Sequence, residues 1–293
     1  MFVDPIHEAP HTSEDPAYCE TWAYSLTDLE RETTLLVHAS WLPARGVGNH
    51  LVTLQRPDQP NTSLRVESHT PLHSDLLQIE VDPWRNARIH CPELSIDLEF
   101  PAFTPPIDFG ELFSLGEEMH QKHVQAGVRA TGRIGSERLE AVPGFRDRSW
   151  GPRDMRQMGR LVALLMTGVE EDLFITANSL TRRDRPFTAG PDTSLGCCVI
   201  DGEIEVFAEA PRVFRNQDGT PARFEFANGV EVELDLSEAF QESLFLADRT
   251  SAPDGFPTAD PILMLRLWAL AAEARGRGRM AGSYQEGHLL SNG

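Results

Sequence analysis

Short runs of alternating apolar and polar residues, each closed by a turn pair, recur along nearly the whole chain, and they constrain the fold more than any other feature. Asn228-Gly229 separates RFEF from VEVELDL, and Asp201-Gly202 separates CCVI from EIEVFAE. Gly135-Ser136 divides VRATGRI from ERLEAV, and an acidic turn, Glu170 to Asp172, joins the apolar runs 160–167 and 173–177. Asn-Gly and Asp-Gly take up the positive φ that a two-residue hairpin needs. In the first half, TWAYSLTD, TLLVHASWL, HLVTLQR, SLRVES, LLQIEV and SIDLEF read as further strands. Strands every 8–12 residues or so predict sandwiches or barrels and argue against βαβ units. Two segments compete with this reading. Residues 109–123 predict a short helix or turn. Residues 262–274, ILMLRLWALAAEA, hold good helix formers but precede a Gly-rich turn and a second run, which favours a closing strand. The proline-rich PAFTPP, 101–106, is the best linker. It divides the chain into an N-terminal domain, 1–106, and a C-terminal domain, 107–293.

Charge and composition remove whole classes of function. The net charge of −19 argues against nucleic acid and against anionic membranes as partners. Lys122 is the single lysine among 26 basic residues, so Schiff-base chemistry has one candidate, in no suitable setting. Cys19, Cys91, Cys197 and Cys198 show no CxxC spacing and predict buried thiols. No apolar run is long enough to span a bilayer, and the N-terminus lacks the basic start and apolar core of a signal peptide; a cytoplasmic protein is the expectation. There is no GxGxxG, GxxxxGK, GxSxG or HExxH motif.

What remains is FRDRSWGPRD, 145–154, with three arginines, two aspartates and a tryptophan in ten residues. Charge at that density is either a solvated loop or a paired network, because buried charges persist only when paired. Alternation on a strand points Arg146 and Arg148 away from Asp147, whose face then carries Phe145 and Ser149. Asp147 is a general acid if that face is enclosed, and an anchor if the arginines fold back on it. Trp150 shares the face of Arg148, either as a cation–π partner or as a pocket wall. Arg146, Arg153 and Asp154 around Gly151-Pro152 staple a turn or hold an anionic substrate group. Glu117, His120 and His123 share a face on a helix, which would suit a proton relay or a metal. On a strand that cluster dissolves, and no metal site is expected. Trp22 and Tyr24 share a face of the first strand, as do Tyr284 and Glu286 in the last.

The run MHQKHVQAGVRATGRI, a hairpin and then GFRDRSWGPR resembles the carotenoid 1,2-hydratase/AttH-like superfamily, in particular a bacterial branch carrying RDHSWGPR. ETWAYSLTD resembles the opening strand of that group and AGSYQEGH its closing strand, with Glu286 at the place of a family glutamate. The resemblance implies an all-β fold of two lipocalin-like barrels packed side by side. It also implies hydratase or cyclase chemistry on terpenoids, carotenoids or polyketides without organic cofactors. Arg148 departs from the pattern, replacing a histidine with a group that exchanges no proton near neutral pH.

Two functions follow as expectations. One is a cofactor-independent lyase, hydratase or isomerase acting on an apolar or phenolic small molecule. Its catalytic candidates are Asp147, Arg148, His120, His123 and Glu286, and its substrate-binding candidates are Trp150, Arg146, Arg153, Tyr284, Trp22 and Tyr24. The other is a non-catalytic carrier of a lipophilic ligand. An enzyme should bring Asp147, a histidine or Glu286 to one point. The oligomeric state stays open, with a homodimer among the choices.

Overall fold

The computed structural model describes residues 3–57, 59–110, 113–114, 120–153, 158–185, 190–207, 209–246 and 263–289. The first eleven strands are β1 Tyr18–Asp28, β2 Thr33–Leu42, β3 Val47–Gln55, β4 Thr62–Ser68, β5 Gln78–Asp82, β6 Asn86–Cys91, β7 Ile96–Glu99, β8 Ile107–Asp108, β9 Phe113–Ser114, β10 His120–Ile134 and β11 Glu137–Pro152. Nine more follow: β12 Met158–Gly168, β13 Leu173–Arg182, β14 Thr193–Ile200, β15 Glu203–Phe207, β16 Arg212–Arg215, β17 Pro221–Glu225, β18 Glu231–Leu246, β19 Leu263–Ala274 and β20 Gly278–Leu289. The expected hairpins are present. At the β14–β15 turn Asp201 and Gly202 both take positive φ, 51° and 81°, as a two-residue hairpin requires. Residues 263–274 form the closing-strand hairpin with β20.

Where a short helix or turn is expected at 109–123, the described residues form no helix. The N–H of Phe109 donates to the carbonyl of His123 at 2.9 Å, and β8 and β9 pair with β10. A sheet ladder has claimed those backbone groups, and local propensity yields to it.

The strands form two curled antiparallel sheets, in the order β4-β3-β2-β1-β11-β10-β7-β6-β5 and β15-β14-β13-β12-β20-β19-β18-β17-β16. The two orders superimpose strand for strand. In each sheet the last strand returns to pair with the first: β11 with β1, and β20 with β12. The all-β expectation of two lipocalin-like units therefore holds. Their division does not fall at 101–106, and the arginine motif is not in the second unit. β11 closes the first sheet, so that sheet runs from 18 to 152 and the second begins at 158. The proline-rich stretch is built into the first unit, where Ala102 bridges to Val128. A local composition shift cannot reveal a pairing between Trp22 and Arg148.

Alternation sorts each strand between two surroundings. In the first sheet Trp22, Tyr24, Leu26, Val37 and Val128 face a core inside the curl. In the second sheet Leu164, Met166, Ile175 and Tyr284 do the same. The opposite faces meet in a seam between the sheets, packed by Phe145 of β11, Ala163 and Leu165 of β12, Phe174 of β13 and Cys197 and Val199 of β14. Gly127 of β10 lies in that seam, and a Cβ there would sit 2.8 Å from the ring of Phe103 and 3.0 Å from Phe174.

Candidate functional site

Inside the first sheet, Arg146 and Arg148 of β11 are buried. Arg148 is 1% exposed. It pairs with Glu20 at 2.7 Å and donates to the carbonyls of His7, Ala9, Thr21 and Ser149. Its guanidinium carbon lies 3.9 Å from the centroid of Trp22 and 5.2 Å from that of Trp150. Arg146 pairs with buried Glu8 and sits over Tyr24 and Trp84. The N-terminal segment supplies much of this network. Trp22 Nε1 donates to Glu8 O and Trp84 Nε1 to Asp4 O, while His7 and His11 stack on Trp150 at 4.9 and 5.5 Å. His11 also meets Glu20 at 3.0 Å; burial lowers its pKa, and Glu20 pushes back.

The geometry corrects several expectations. A guanidinium has five N–H groups, and those of Arg148 are spent on Glu20 and backbone carbonyls, so none remains for an anionic intermediate. Arg146 spends its Nη2 on Glu8, while its Nη1 is buried without a hydrogen-bond partner among the described residues. Trp22, Tyr24 and Trp150 are walls of this packed network, at 0%, 1% and 7% exposure. Gly151 of the motif has φ +128°, and a Cβ there would lie 2.3 Å from the carbonyl oxygen of His120. Only glycine lets β10 and β11 pass so closely.

Inside the second sheet, Glu286 accepts from Arg160 at 2.7 Å, Arg215 at 3.0 Å and the hydroxyl of Tyr284 at 2.9 Å. Burial and the neighbouring carboxylate push the Tyr284 phenol up. Glu286 is thus an ion-paired acceptor facing the second core, and it does not converge with Asp147.

Asp147 lies on the seam face of β11, between Phe145 and Ser149. It meets His123 of β10, Nδ1 to Oδ1, at 2.9 Å, with side-chain exposures of 11% and 18%. His120, three residues earlier on the strand, points to the other face, so the helical cluster dissolves; Glu117 and Asp154 lie outside the described residues. Beside the pair, Ser149 holds the hydroxyl of Thr21 and accepts from Arg153 at 2.8 Å. Gln125, which pairs across the ladder with Asp147, accepts from Thr176 at 2.6 Å and Asn178 at 3.3 Å, both on β13. Among the described residues no group of three or more histidines, cysteines and carboxylates comes together to hold a metal. A cavity of about 240 Å³ opens towards the other end of β1, lined in part by Thr27, Glu32, Gln55 and Arg279 and by none of the candidates above.

Sequence reasoning missed Glu8, Glu20, His7 and His11, which are separated from their arginine partners by more than a hundred residues. It also missed Gln125, Thr176 and Asn178. Gln125 was accessible, since alternation places it on the face of His123.

The family described as Domain of unknown function (DUF7064) matches residues 4–237, most of the chain and both halves of the seam. The protein belongs to that family. No curated sequence matches this DUF7064 protein. Its fold has solved counterparts. Kievitone hydratase from Nectria haematococca superimposes with a TM-score of 0.56 at 10% identity, over 94% of this chain and 89% of that one. CghA gives 0.59 at 13% identity, over 95% and 90%. An AttH-like protein from Nitrosomonas europaea gives 0.58 at 11%, over 92% and 91%. At these identities the likeness shows the fold of the DUF7064 chain, the one expected of the hydratase/AttH-like group.

Proposed function

We propose that this protein is a cofactor-independent lyase, hydratase or isomerase for an apolar or phenolic small molecule, with His123 as the group that moves the proton and Asp147 as its positioning partner. The observation that carries the reading is the 2.9 Å contact between His123 Nδ1 and Asp147 Oδ1, on the seam between the sheets. A carboxylate 2.9 Å from one ring nitrogen, close but not aligned as a hydrogen bond, stabilises the imidazolium by its charge, as proton transfer through the other nitrogen requires. Neutral His123 takes a proton from a carbon next to a carbonyl, and the electron pair moves into the carbonyl as an enolate. The imidazolium then returns the proton, to a departing hydroxyl for loss of water or to another carbon for isomerisation. Supporting the reading, one protein of this fold is named a hydratase and another holds the small molecule Sch210972.

The test is incorporation of deuterium from D₂O into carbonyl-bearing phenols and terpenoids, read by mass spectrometry. His123→Gln and Asp147→Asn should each slow exchange by about 10²–10⁴-fold while binding persists. A His123→Gln protein as fast as the parent would overturn the assignment. Binding without exchange in the parent would mark a carrier.

A further inference from the structure

The cavity of about 240 Å³ at the far end of β1 lies where the two units meet. The first unit lines it with Thr27 of β1, Thr34 of β2, Gln55 of β3 and Glu32 of the turn between β1 and β2. The second unit adds Asp235, Leu270 and Arg279 from β18, β19 and β20. Trp22, Tyr24, Leu26, Val52 and Leu54 face the core inside the first curl. Alternation therefore turns Thr27 and Gln55 outward, towards the second unit. Thr21, on the same face of β1, pairs with Ser149, which pairs with His123. Six residues along the strand put the cavity roughly 20 Å from the proton-transfer pair.

Two oxygens of the lining residues are buried with no hydrogen-bond partner among the described residues, Thr27 Oγ1 and Gln55 Oε1, and Thr27 itself is only 5% exposed. Both are acceptors, so this wall is short of donors. Charge points the same way. Asp28, Glu32 and Asp235 line the cavity against one guanidinium, Arg279. Asp28 is held by Arg31 at 2.6 Å. Glu32 stands exposed at φ 48°, a conformation that costs any residue but glycine. Among the described residues no three histidines, cysteines or carboxylates gather to hold a metal, so the acidic lining suits an organic cation. The net charge of −19 draws cations to the whole molecule.

We infer that this cleft between the units binds a small molecule carrying a protonated amine on a short apolar body. The ammonium donates to the oxygens of the first unit, and Leu29, Pro57, Leu270 and Ala271 cover the body. The volume is ample for a single ring, since an apolar cavity of about 150 Å³ already takes up benzene. The site is independent of the proton-transfer reading. An occupied cleft holds β1 and β2 against β18, β19 and β20.

The experiment uses three ring compounds of one size: benzylamine, a cation at neutral pH; benzyl alcohol, neutral; and benzoate, an anion. Affinities are measured by ligand-observed NMR on the full chain. Benzylamine should bind about tenfold or more tighter than benzyl alcohol, the measure of one charge-assisted hydrogen bond, and benzoate should bind least. Thr27→Val removes a hydroxyl that has no partner, and Glu32→Gly places at positive φ the residue that accepts it freely. Both variants should therefore keep the parent thermal midpoint, and together they should erase the preference for the amine. Absence of saturable benzylamine binding in the parent, or equal affinity for benzylamine and benzyl alcohol, would overturn the inference without any variant having to fold. So would a preference that survives the double substitution. His123→Gln should leave benzylamine binding unchanged; its loss there would place the amine at the proton-transfer pair and overturn the cleft assignment.

Discussion

Arg148 and Arg88 carry the same charge in opposite situations. Arg88 meets Glu99 at 2.6 Å on the surface, with both partners about half exposed. Such a pair gains little over hydration of its partners, and salt screens it. Arg148 has left water almost completely, and burial pulls its pKa down against the pull of Glu20. Its stability rests on every donor having an acceptor. Removing one partner leaves the other charged and buried, which costs about 3–5 kcal/mol. Glu20→Gln and Arg148→Met should therefore shift the urea midpoint strongly, whereas Arg88→Met should leave it nearly unchanged. Equal, small shifts at both sites would show that the interior pair is hydrated. The sequence announced the charge density of 145–154 but not its destination. Alternation alone separated Asp147 from Arg146 and Arg148, and that separation holds. It could not say which face looks into a core and which into the seam, since that depends on partners in β1 and β13.

The N-terminal segment behaves as an element in its own right, although among the described residues its regular structure is limited to the short 3₁₀ turn Pro5–Glu8, capped by the Asp4 side chain. It is held by Glu8 on Arg146, by two tryptophan N–H groups and by two imidazoles against Trp150. Burial holds His11 below its ordinary pKa, so the folded segment prefers the neutral ring. Its contribution is complete above about pH 6.5, the usual histidine value, and is lost as pH falls below that towards the depressed folded value. Acidification from pH 7.5 to 5 should raise hydrogen exchange in residues 4–11 before the sheets respond, and His11→Asn should flatten that dependence. Exchange that is flat with pH in the parent protein would sink the idea. Hairpins were legible at this scale because Asn-Gly and Asp-Gly act locally. The start of the strand at 120–134 was less so, because its glutamine and histidines look helical until a neighbouring strand claims their backbone.

Across the whole molecule the two units share one strand order, and the equivalence reaches individual charges. Glu20 on β1 pairs with Trp150, two residues past its ion partner Arg148. Arg160 on β12 pairs with His288, two residues past its ion partner Glu286. The closing position thus carries the same ion pair with its signs exchanged, a repeat that residue identity conceals. The units are tied by Arg129, which donates to the carbonyls of Gly168, Val169 and Glu171 on the β12–β13 turn and lies over Phe103. Arg129→Met should cost about 1–3 kcal/mol and raise exchange at that turn and in the seam strands, while β2 and β3 stay protected. Uniform loosening of both sheets would contradict this division of labour. The closing strands also set a timetable for synthesis. Glu8 and Glu20 precede Arg146 and Arg148 by 138 and 128 residues, so on the ribosome the first unit must wait, acidic and open, until its last strand emerges. Slow, long-range closure of this kind exposes sheet edges to aggregation, and a nascent chain halted before residue 146 should be the species that chaperones hold.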